Sequence, residues 1–325
     1  MARLGISLLC IAGGLLSPAA FSASAAPSEQ SPSPPAATAS SSGKAPLDTV
    51  TVEARRERKE LEREVNEFVF AVAVRYLHDS LSRWNTPICP LVAGLPREQG
   101  EFVLRRLSQI ASSAKVPLAG EHCTGNFYVI VTPEPERLIK QWQRHDPRMF
   151  RNRDGMGYLR NFRDVPRAVR VWYNIGFVSS EGRPIVSSDD LAGALVGSSL
   201  GMELTMANVP TNKINMGSRL TYSAVHSLSS VIVIVDAKRV QALTFGQLAD
   251  YIGLVGLAEV NQDAEVGTVP TILRLFRDSP DPPQRLSPWD EAFLASLYAV
   301  DQASVVEQPM MKRQMVSSLA LTAVH

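Results

Sequence analysis

Between Glu53 and Leu77 the apolar residues Leu61, Val65, Phe68, Val69, Val72, Tyr76 and Leu77 recur at helical spacing, which predicts a long amphipathic helix. Just before it, Thr49-Val50-Thr51-Val52 has the two-residue alternation of a short strand or an extended segment. A second helix is predicted from Pro96 to Ala114, with Val103, Leu107, Ile110, Ala111 and Ala114 on one face and a proline suited to the first turn. The period then changes. Residues 127–132, FYVIVT, read as a strand, and Glu134 to Arg144 as a short helix entered through Pro133. The polar, glycine-bearing RNRDGMGYLRNFRDVP reads as a loop. In AVRVWYNIG, residues 168–176, Val169, Val171, Tyr173 and Ile175 alternate with Arg170 and Asn174, the pattern of a strand with one buried face. SSVIVIVD, residues 229–236, is apolar on both faces and predicts an interior strand. Finally, Thr244 and Gln247 form a capping-box pair ahead of Leu248, Ile252, Val255 and Leu257, which predicts a buried late helix. The expected fold class is α+β: a mixed sheet with a long N-terminal helix and a buried late helix.

Composition divides the chain into regions. Residues 1–26 carry Arg3, an apolar stretch and a small-residue Ala23-Ser24-Ala25 end, as in a secretory signal peptide. That stretch is shorter than the ~20 residues of a membrane-crossing helix, and no later segment is long and apolar enough to span a bilayer. Residues 27–46 are Pro, Ala and Ser with almost no large apolar side chains, which predicts a disordered linker. A single α+β domain is expected over 47–302, with a helical lobe at 53–118, followed by a mobile tail at 303–325. Export places the chain in the periplasm or outside the cell. Without Arg3 the charges balance at 32 basic against 32 acidic, which disfavours a nucleic-acid partner. Cys89 and Cys123 remain after cleavage of the signal, and in an oxidising compartment they read as one disulfide.

Two stretches raise catalytic questions. GSSLG at 197–201 fits the G-x-S-x-G nucleophile elbow with Ser199 as nucleophile. His226 would then serve as base, although it precedes the best acid, Asp236, which reverses the order of that hydrolase class. The second stretch is ADYIGLVGLAE at 249–259. A zinc-protease helix carries H-E-x-x-H-x-x-G-x-x-H, because four-residue spacing puts two histidines on one face beside the general base. With Gly256 at the glycine position, Ala249 and Gly253 replace the two histidines, Asp250 stands at the base position and Glu259 at the third-ligand position. The remaining histidines have no ligand spacing, so neither zinc nor any other cofactor is expected.

The surroundings of that helix resemble a zincin of the metzincin type. A strand, SSVIVIVD, precedes it; TVPTILRLF follows where that family turns beneath its metal; and LSPWDEAFLASLY matches the closing helix through Leu286, Ser287, Asp290, Leu297 and Tyr298. The resemblance covers residues 168–298 and implies a zincin-like shape without the zinc-binding histidines. The whole chain also resembles an uncharacterised family of exported proteobacterial proteins, through CPLVAGLP, NFYVIVTPEPERLIKQW, VRVWYN and QLADYIGLVGLAEV. Together these imply a non-catalytic binding domain with an unknown protein or cell-envelope component as partner. A hydrolase using Ser199 or a rearranged metal site is the alternative.

Overall fold

A computed structural model describes residues 47–74, 80–150, 155–180, 182–185, 219–277 and 281–322. The chain from Leu47 onward forms one compact unit. Its centre is a sheet of five strands in the order β1-β2-β5-β3-β4. These are β1 (Pro90–Ala93), β2 (Phe127–Thr132), β3 (Val169–Ser179), β4 (Pro184–Ile185) and β5 (Ala224–Asp236). β1, β2 and β5 run parallel, and β3 lies antiparallel to β5. The doubly apolar run takes the middle position, because only a strand covered on both faces can bury Ile232 and Ile234 on one side and Val231, Val233 and Val235 on the other.

One face of the sheet carries the larger core. Against it pack α1 (Leu47–Val72), α2 (Arg97–Ser113), α5 (Phe245–Leu257), α6 (Pro288–Ala299) and α7 (Glu307–Thr322). The opposite face is covered by α3 (Pro135–His145), α4 (Gly155–Asp164) and a 3₁₀ turn at Pro147–Phe150. There Phe150, Phe162 and Tyr158 close around the buried Trp172 ring at centroid distances of 5.0–5.6 Å. Cys89 and Cys123 are bonded across 34 residues and tie the start of β1 to the segment entering β2. Closing such a loop stabilises the folded chain by nominally about 3 kcal/mol.

The structure corrects five of the expectations. Thr49–Val52 is not a strand; it lies within α1, which begins at Leu47 and ends at Val72 rather than Leu77. The segment expected to be a loop contains α4, whose Tyr158, Leu159 and Phe162 pack on Trp172. β3 is buried on both faces rather than one: Trp172 and Arg170 are enclosed on the second, with Arg170 ion-paired to Glu136 of α3 and donating to the Arg167 carbonyl at 3.3 Å. The helices at 53–118 are not a separate lobe: Val65, Phe68, Val103, Leu107 and Ile110 belong to the main core. Most of the expected mobile tail is α7, which buries Met311, Met315, Val316 and Leu319.

Glu307 opens α7 and is itself buried. Its Oε2 accepts the Leu81 backbone N–H at 2.9 Å, while Arg83 and Asp301 act on its charge with opposite sign. Burial outweighs the favourable contacts and pushes the carboxyl from 4.5 up to about 7. The folded state thus keeps a proton that the unfolded chain has released. This contribution to stability is complete below pH 4.5 and is lost as pH rises to about 7. Glu307→Gln, which stays neutral, is expected to exceed the parent in stability above that window by roughly 3 kcal/mol at most. Urea unfolding of both proteins on either side of the window checks this; an equal difference at both pH values would contradict it.

Candidate functional site

The late helix α5 is placed by its own sequence. The capping box is formed, with Gln247 N donating to Thr244 Oγ1 at 3.2 Å and Thr244 N donating to Gln247 Oε1 at 3.0 Å. From Gln247 to Leu257 every residue is buried. Gly253 lies against α2, where an added Cβ would stand 2.5 Å from Ile110 Cδ1. Gly256 lies under the Phe127 ring of β2, and Ala249 is fully buried. The second histidine position is therefore filled by α2 and the glycine position by β2, while the first histidine position is closed to solvent. No opening is left beside Gly253 or Gly256, because the Ile110 side chain fills the first place and the Phe127 ring the second.

The acids of the motif hold the fold together. Asp250 receives a two-pronged ion pair from Arg106 of α2, with Nη2 to Oδ2 at 2.9 Å, and Oδ2 also accepts the Leu286 N–H at 2.8 Å. The position of a general base thus joins α2, α5 and the chain entering α6. Asp290, in the closing helix, accepts from the Thr271 hydroxyl, the Ile272 N–H at 2.8 Å and the Ser287 N–H at 2.9 Å. Burial nevertheless raises its carboxyl above the usual range. The end of α5 is closed by three aromatic donors. Tyr173 Oη donates to the Val255 carbonyl at 2.7 Å, Trp84 Nε1 to Gly256 at 2.8 Å and Tyr298 Oη to Leu257 at 2.5 Å. These are carbonyls that a helix end leaves without an intrahelical partner. The matching Leu-Tyr of the closing helix thereby has a structural role through Tyr298.

Glu259 differs from the other positions. It is 8% exposed and borders a cleft of about 200 Å³ alongside Tyr158, Asn161, Arg167, Tyr173 and Asp263. Arg167 grips Asp263 with both terminal nitrogens, Nη2 to Oδ2 at 2.7 Å. That contact holds the Asp263 carboxyl below its ordinary value. A second cavity, of about 550 Å³, shares Arg167, Gln262 and Asp263 with the first. The Arg167–Asp263 pair consequently stands as a partition between two cavities. Gln262 braces it by donating to Tyr251 Oη at 3.0 Å and to the Val169 carbonyl at 3.2 Å. Burial raises the Tyr251 hydroxyl to about 12, so it stays protonated. The pairing of Arg167 with Asp263 was not legible in the sequence, because it joins the start of β3 to the segment after α5.

The serine-hydrolase positions are not assembled among the described residues. His226 and Asp236 lie in the same strand, β5, ten residues apart, which puts them about 33 Å from each other. His226 is buried, packs its ring against Phe177 at 4.9 Å and donates its backbone N–H to Ser80 Oγ at 2.9 Å. Ser199 and the rest of GSSLG lie outside the described residues. Among the described residues, no three His, Cys, Asp or Glu side chains gather as a metal-binding group. No described helix is long and apolar enough to cross a membrane. Comparison with known protein families, with curated proteins and with solved structures finds no match to this chain.

Proposed function

We propose that the chain is an exported, non-catalytic binding domain of zincin-like shape that works in the periplasm or cell envelope, and that its ligand enters the cleft beside Glu259. One observation carries the reading: of the five positions that line up with a zinc-protease helix, Glu259 lines the cleft of about 200 Å³ that Arg167 also lines. The other four are occupied by packing or by the Arg106 ion pair. The order of β5, α5, the 3₁₀ turn at Ile272–Phe276 and the capped α6 supports the zincin-like part of the proposal. The signal-like N-terminus and the bonded cysteines support export.

A carboxylate and a guanidinium lining one small cavity suit a ligand with both an amino and a carboxylate group, such as a peptide end. A protein or a peptide-bearing envelope component would supply one. NMR titration of the full chain with dipeptides and with soluble peptidoglycan fragments tests this. Saturable shifts at the cleft are expected for at least one probe, weakened about tenfold by Glu259→Gln or Arg167→Gln, the loss of roughly one charge-assisted hydrogen bond. Equal binding by parent and both variants, or no saturable shift with any probe, would remove the cleft as the site.

A further inference from the structure

The balanced charge of the whole chain conceals a local excess. α3 is anchored by the buried Pro135 and by Ile139, which packs with Trp172, Ile232 and Ile234. That anchoring turns Arg137, Lys140, Arg144 and His145 outward, at the helical spacing of one face. Opposite them, Lys238 projects from the turn after β5. Together they line a concave surface of about 700 Å³. Of its two carboxylates, Glu134 pairs with Arg137 within the cup and offsets that charge, and Glu136 is committed to the buried Arg170. Lys140, Arg144 and Lys238 make no ion pair among the described residues.

The position matters as much as the charge. Pro133 and Glu134 follow directly on β2, and Lys238 follows β5, so the cup lies just beyond the carboxyl ends of two adjacent parallel strands. That is where open sheets with parallel strands place their ligands. A last-turn Arg144 and His145 would by themselves be explained by the helix dipole. Lys238 would not, since it comes from a different element and converges on the same hollow.

We propose that this cup is a second binding site and takes a small ligand with two or more phosphate groups. Closely spaced phosphates present more negative charge than one carboxylate, and three unpaired cations from two elements match that charge at short range. The concave form suits a discrete head rather than a flat surface. The proposal does not depend on the Glu259 cleft, which lies among other residues.

Isothermal titration of the full chain with inorganic pyrophosphate at low ionic strength provides the test, with acetate as the singly charged control. One-to-one saturable binding is expected with pyrophosphate and not with acetate, and added salt should weaken it. Lys140→Gln combined with Lys238→Gln should reduce affinity roughly tenfold. Arg55→Gln combined with Lys59→Gln removes the same charge from the exposed face of α1 and should leave affinity unchanged. Sedimentation with vesicles containing cardiolipin, whose head carries two phosphates, then separates the sources. Pyrophosphate binding with vesicle capture that pyrophosphate displaces assigns a lipid-borne phosphate, and pyrophosphate binding without capture assigns a soluble one. Absence of saturable pyrophosphate binding, vesicle capture that pyrophosphate leaves intact, or equal weakening by the two double variants would overturn the site.

Discussion

Gly256→Ala is expected to destabilise the fold by roughly 3 kcal/mol, the upper part of the range for overpacking a core. In an exposed helix the same change would stabilise by about 1 kcal/mol, because glycine gives the unfolded chain extra freedom. Here the new Cβ would overlap the tip of the Phe127 ring and stand 2.7 and 2.8 Å from its Cε2 and Cε1 atoms. The ring has little room to retreat: Phe127 is fully buried, and Trp84 stacks on it at 6.2 Å while donating to the Gly256 carbonyl. Steric overlap therefore outweighs the helix preference. Urea unfolding of Gly256→Ala, Phe127→Leu and the double variant measures the coupling. A Gly256→Ala protein as stable as the parent would mean that α5 and β2 are not in this contact.

Asp290→Ala should cost about 3–5 kcal/mol, since it leaves three buried neutral donors without their acceptor at roughly 1–3 kcal/mol each, partly offset by relaxation. The Thr271 hydroxyl and the backbone N–H groups of Ile272 and Ser287 would lose it together, in a place closed to water. The capping box of α6 would be broken at the same time. Asp290→Asn keeps the shape and one acceptor oxygen and should cost less. Thermal or urea unfolding ranks the two, and hydrogen exchange at Ile272 reports the local loss. Loss of less than about 1 kcal/mol in the alanine variant, the scale of a single cap, would show that Asp290 is only a helix cap.

These two sites show how the sequence can be read as either chemistry or packing. Glycine, acid and Leu-Tyr at the spacing of a zinc protease were legible in the residues. Each also has an adequate mechanical role: Gly256 admits Phe127, Asp290 holds the 3₁₀ turn, and Tyr298 closes α5. Spacing along one helix cannot separate the two readings, because it does not show which neighbour fills the face. Some missed elements had usable signals. Met311, Met315, Val316 and Leu319 follow helical spacing and mark α7, and Tyr158 with Phe162 does so for α4, hidden among arginines and asparagines. Arg170 had none, since alternation marks a polar residue and says nothing of a Glu136 brought over it by another helix.

The sequence by itself determined the strands β2 and β5, the helices α2, α3 and α5, the capping boxes and the cysteine pair. These follow from interactions a few residues long, or from having two cysteines to join. Tertiary structure alone decided that Gly253 and Asp250 face α2, that Glu259 reaches a cleft, that Arg167 meets Asp263, and that Lys238 joins the cations of α3. Each of those depends on residues far apart in the chain. Periodicity sets which face of an element is apolar, and only packing against another element decides what that face meets.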